Sequence, residues 1–117
     1  MGAFRSGLFA IAVLALTSAC SAPGAGSPVP TSTVDLPPSY KFEPAAITIK
    51  AGTTVTWTNH DNFTHSVQFL DGGLPKDPMV MQPGQKASFK FTRPGLYHYQ
   101  CSFHPQNMQG TVLVTSA

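Results

Sequence analysis

The stretch "KASFKFTRPGLYHYQC", residues 86–101, decides the fold. In its first half Ala87, Phe89 and Phe91 share one face, while Ser88 and Lys90 take the other. In its second half Tyr97, Tyr99 and Cys101 share a face. Side chains that alternate every second residue, rich in aromatics, mark a half-buried strand rather than a helix. Pro94-Gly95 separates the two halves, and Pro83-Gly84 precedes them. Both pairs fit type II turns, with Pro presetting φ and Gly accepting a positive value.

The same alternation extends outward in both directions. "AITIK" (46–50) aligns Ile47 with Ile49, and "TTVTWTN" (53–59) aligns Val55, Trp57 and Asn59 against a threonine face. "HSVQFL" (65–70) aligns His65, Val67 and Phe69, and "GTVLVT" (110–115) supplies a last β-branched run. No helical periodicity appears beyond the N-terminal segment. The pattern predicts an all-β sandwich of seven to eight short strands over residues 40–117, and 117 residues leave room for one domain.

The first 39 residues read differently. Arg5 precedes an apolar run from Leu8 to Leu16, too short to span a bilayer, which takes about 20 apolar residues. Residues 1–19 are therefore expected to be a signal peptide. The following "LTSAC" resembles the lipobox of bacterial lipoproteins, which implies cleavage before Cys20 and lipidation of that cysteine. Ordinary cleavage nearby would instead leave Cys20 as a free thiol. Residues 20–39, dense in Pro, Ser, Gly and Thr, are expected to form the lipidated N-terminus and a flexible tether. The mature protein is thus expected outside the cytoplasm, lipid-anchored at the outer face of the cytoplasmic membrane or in the periplasm.

Charge narrows the partners. Net charge is +2, with 10% charged residues and no run of one sign. Nucleic-acid binding rests on clustered Lys and Arg, so no nucleic-acid partner is expected.

The chain has two cysteines. With Cys20 assigned to the N-terminus, Cys101 lacks a disulfide partner in an oxidising compartment. It is either a buried structural thiol or a metal ligand. Parity points to the second. Cys101 ends an inward-facing strand and His65 begins one, so both can meet at one pole of the sandwich. A buried imidazole without a partner costs about 1–3 kcal/mol, and a metal would satisfy His65, Cys101 and His104 together. One thiolate, two imidazoles and the nearby thioether of Met108 form a trigonal set with a weak axial ligand, the donor set of a blue-copper site.

From Tyr40 to Thr115 the chain resembles small cupredoxins of the plastocyanin, pseudoazurin and amicyanin type. The resemblance is carried by "FEPAAITIKAGTTVTWTN", "HSVQF" and "FTRPGLYHYQCSFHPQNMQGTVLV". It implies a Greek-key β-sandwich holding one copper per chain, cycling between Cu+ and Cu2+. The family's upstream histidine falls on His65, its C-x-x-H on Cys101 and His104, and its Met-x-Gly on Met108 and Gly110. Two departures stand out. Three residues separate His104 from Met108, between the two of amicyanins and the four of plastocyanins. Ser66 stands where plastocyanins carry an Asn that helps fix the cysteine loop.

The expected function is extracytoplasmic electron transfer by a monomer, with redox proteins docking near His104, Phe103 and Pro105. The alternatives are a copper-buffering or delivery protein on the same fold, for which Met79, Met81 and His60 are the only hints, and a zinc site, against which Met108 argues. No nucleophile–base pairing suggests an enzyme. His60 reads as a solvated loop residue, His98 as a residue of the outer face, Trp57 as core, and Met79 and Met81 as gap fillers or part of an apolar rim.

Overall fold

The computed structural model describes Gly2 and residues 27–117. Apart from Gly2, the expected signal peptide lies outside the described residues, as does Cys20. Every regular element among those described is a strand. The strands are β1 (Val29–Pro30), β2 (Thr33–Leu36), β3 (Ala46–Lys50), β4 (Thr53–Asn59), β5 (His65–Phe69), β6 (Met79–Met81), β7 (Lys86–Phe91), β8 (Gly95–Gln100) and β9 (Gln109–Thr115). One sheet has the order β1-β3-β9-β8-β5-β6, and the other has the order β2-β4-β7.

Period-two patterning gives each sheet its apolar face. Val55, Trp57 and Asn59 of β4 are buried, as are Ile47 and Ile49 of β3 and Val67 and Phe69 of β5. The sheets meet through aromatic edges: Trp57 lies against Tyr99 at 5.4 Å and 79°, and Phe69 against Phe91 at 5.7 Å and 84°. Edge-to-face packing brings the positive rim of one ring to the negative face of the next. Burying a large apolar side chain contributes about 1.5–3 kcal/mol, so this aromatic layer is a main source of cohesion. Burial pushes the Tyr99 phenol well above its ordinary pKa.

Two expectations need correction. The folded body begins before Tyr40. Thr33–Leu36 pairs in parallel with Thr56–Asn59, and Val34 and Leu36 are buried. The Pro and Ser around "TVDL" mask a short alternating strand whose two apolar residues fill the core, and nine strands are present among the described residues. The other correction concerns Pro94-Gly95. Gly84, at φ 83°, does occupy a tight turn closed by the Gln85 N–H on the Gln82 carbonyl. Gly95, at φ 154°, instead opens β8. β7 and β8 belong to different sheets, so the chain crosses the sandwich there rather than folding into a hairpin.

Candidate metal centre

Antiparallel pairing of β5 with β8, Phe69 opposite Tyr99 and Gln68 opposite Gln100, brings His65 to the same end of the sandwich as Cys101. Pairing of β8 with β9 then makes residues 101–108 the connection at that end. The connection is pinned from within. The Cys101 N–H donates to the Met108 carbonyl at 3.0 Å, and the His104 N–H donates to the Cys101 carbonyl at 3.2 Å. The Met108 and Asn107 N–H groups both donate to the His104 carbonyl, at 3.0 and 3.1 Å. Backbone bonds of this kind hold His104 in place independently of any ion.

The ligand atoms of His65, Cys101 and His104 all lie within 4.8 Å of one another. Cys101 Sγ sits 3.8 Å from Nδ1 of His65 and 3.8 Å from Nδ1 of His104. Bonds of about 2.0 Å to nitrogen and 2.3 Å to sulfur, opened to the 120° of a trigonal site, would separate N from S by about 3.7 Å. The donors are thus spaced for one ion between them, in the chemistry that suits copper. Cys101, His65 and Met108 are fully buried, whereas His104 is half-buried.

Ser66 takes over the anchoring of the cysteine loop. Its Oγ accepts from the Ser102 N–H at 2.8 Å, lies 2.7 Å from Ser102 Oγ, and donates toward Cys101 Sγ at 3.9 Å. One donor and two lone pairs are all a hydroxyl has, so these contacts use them fully. Ser66→Ala would leave the Ser102 N–H without its acceptor, at a cost of about 1–3 kcal/mol. Chemical denaturation of the metal-free protein should show a loss in that range. A variant as stable as the parent would mean that Ser66 does not hold the loop.

Several residues at the site escaped the sequence reading. Tyr40 adopts a left-handed φ of 53°, costly for a residue with a Cβ. Its ring meets His104 edge-on at 4.8 Å and stacks on Phe63 at 5.6 Å. Asp61 accepts from His65 Nε2 at 2.8 Å and is 4% exposed. The His65 hydrogen bond holds its carboxyl below the ordinary carboxylate range, against the opposing effect of burial. Only its place four residues before His65 hinted at this. Among the residues set aside earlier, His60 pairs with Asp35, His98 is exposed and pairs with Asp71, and Met81 is fully buried.

A β-sandwich that gathers a thiol and two imidazoles at one pole, beside a buried methionine, defines a blue-copper cupredoxin. The model of copper binding proteins of the plastocyanin/azurin family matches residues 33–115, and the chain belongs to that family. It is 45% identical over 78 residues to amicyanin-alpha of Methylorubrum extorquens, covering 63% of this chain and 64% of that protein. Plastocyanin of Scenedesmus fuscus is 37% identical over 83 residues, covering 62% of this chain and 85% of the relative. The match thus spans just under two thirds of the amicyanin. Among solved structures, a purple cupredoxin from Nitrosopumilus maritimus superposes with a TM-score of 0.65 at 32% identity, over 73% of this chain and all of that one.

Proposed function

We propose that the protein is a one-electron carrier in which His65, Cys101 and His104 would hold one copper ion, with the Met108 thioether as a further, weaker donor. The observation that carries this reading is a fully buried thiol 3.8 Å from two imidazole nitrogens, one wholly buried and the other on a half-buried ring. Bound there, copper would supply the Cu+/Cu2+ couple. The chain's own residues keep the donors still between the two states and exclude water. His104 is the side chain through which electrons enter and leave, being the more exposed of the two histidines. With the other donors buried there is no approach for a substrate, so the reading is a carrier and not an enzyme. Copper buffering would call for exposed soft ligands, yet Met81 is buried, Met79 half-buried and His60 engaged with Asp35.

Redox proteins would dock over His104. Phe103 is 52% exposed and Phe63 54%, with Pro105 and Tyr40 also exposed, a small apolar surface suited to brief complexes that bury under about 1,200 Å². The chain works as a monomer, exported and held by a lipid on Cys20 at the outer face of the cytoplasmic membrane or in the periplasm. The residues between Cys20 and the first described strand at Val29 would serve as the tether. Two acyl chains give stable anchoring where one is marginal. Cys20→Ala should therefore leave the membrane fraction; equal retention would remove the anchor from this reading.

The decisive experiment is the visible and EPR spectrum of the copper-loaded protein. Intense blue or purple absorption with narrow copper hyperfine splitting is expected, and a colourless protein would exclude the carrier reading. Electron self-exchange between oxidised and reduced copies then tests the surface. Phe103→Glu should slow it about tenfold, equivalent to about 1.4 kcal/mol of encounter stability, with the spectrum unchanged. An unaltered rate would place the docking surface elsewhere.

A further inference from the structure

We infer that Asp61 is a positioning residue for His65 that lowers the reduction potential of the site, an inference that rests on the proposed copper reading. His65 uses its two nitrogens differently. Nδ1 faces Cys101 Sγ at 3.8 Å, and Nε2 meets Asp61 Oδ2 at 2.8 Å. A carboxylate only accepts, so Nε2 carries the proton and Nδ1 presents its lone pair to the ion position. The side chain that sets this tautomer is itself held. Asp61 Oδ1 accepts from the Asn62 N–H at 2.7 Å, and the Asp61 N–H donates to Asn59 Oδ1 at 2.9 Å. Asn59 Nδ2 in turn donates to the carbonyls of Phe63 at 2.8 Å and Met81 at 3.0 Å. Asn59 and His65 are fully buried. The arrangement is a chain of buried hydrogen bonds from the end of β4 to the first residue of β5.

Two consequences follow from the carboxylate. Accepting the Nε2 proton makes the imidazole a stronger donor at Nδ1. A buried negative charge one imidazole away also favours the ion carrying the greater positive charge. Both stabilise Cu2+ relative to Cu+; a neutral acceptor abolishes the second and weakens the first. Asp61→Asn can keep a hydrogen-bond acceptor in place while removing the charge.

The test compares Asp61→Asn with wild type and with Asp71→Asn, which removes the same charge from the exposed pair with His98. Asp61→Asn should stay blue while its preference for Cu2+ over Cu+ falls about tenfold, a rise in potential of about 59 mV for one electron. Asp71→Asn should change that preference less than twofold. A blue Asp61→Asn with an unchanged potential overturns the inference and leaves the copper reading standing. Imidazole ¹⁵N NMR of the metal-free wild type gives a readout independent of copper. His65 protonated at Nε2 with a hydrogen-bonded proton supports the inference, and His65 protonated at Nδ1 alone overturns it.

Discussion

Cys101→Ser leaves the copper-loaded protein colourless. The visible band of a blue-copper site is a transfer of charge from thiolate sulfur to Cu2+, and Cys101 Sγ is the sulfur placed 3.8 Å from both ligand nitrogens. A serine hydroxyl stays protonated where a metal-bound thiol does not, so the substitution removes the soft anionic donor while changing a single side-chain atom. The fold is expected to persist, because one side-chain atom changes at a buried position, although Ser66 Oγ, 3.9 Å from the sulfur, is too far to bond the new hydroxyl. Near-complete loss of the intense band is therefore expected, with the metal-free protein still folded but destabilised by about 1–3 kcal/mol for the buried hydroxyl. Retention of the colour in Cys101→Ser would mean that another sulfur supplies it.

The second large effect is on stability. A Cβ added to Gly110 would lie 2.3 Å from Cζ and 2.4 Å from the hydroxyl oxygen of Tyr99. The two residues are register partners across β8 and β9. Tyr99 cannot step aside, being 1% exposed, packed against Phe42 at 4.7 Å and against Trp57 at 5.4 Å. Overpacking of this sort costs about 1–3 kcal/mol and sometimes more, and rigid neighbours put Gly110→Ala at the upper end. At about 4–8 °C per kcal/mol for a domain of this size, a loss of about 3 kcal/mol lowers the melting temperature by about 12–24 °C. Calorimetry of the metal-free protein measures it directly, and a shift below about 5 °C would show that the ring yields. The glycine of the Met-x-Gly pattern is thus explained by a tyrosine on the neighbouring strand.

What the chain reveals unaided follows from local geometry. Strand parity depends on adjacent residues only, so the inward positions of Val55, Trp57, Asn59, His65, Val67 and Phe69 were legible. The cysteine and second histidine are three residues apart within one connection, and their proximity was legible for the same reason. Where parity is short or flanked by Pro and Ser, as at Thr33–Leu36, the signal is too brief to stand out. There the partner strand β4 supplies the missing backbone hydrogen bonds and the core supplies the burial.

Everything that joins distant residues was decided by tertiary structure. His65 and Cys101 are 36 positions apart and meet because β5 and β8 pair in one register; a shift of a single residue would turn His65 away from the site. Ser66 reaches Ser102 across the same separation. The sequence by itself determined which side chains face inward and which residue types could bind a metal, since both depend on neighbours along the chain. Only the tertiary structure decided that Asp61 stands behind His65, that Ser66 grips the cysteine loop and that Tyr40 lies over His104. Each of those contacts has at least one partner in a loop, at Tyr40, Asp61, Ser102 or His104, and loops have no period for a sequence to display.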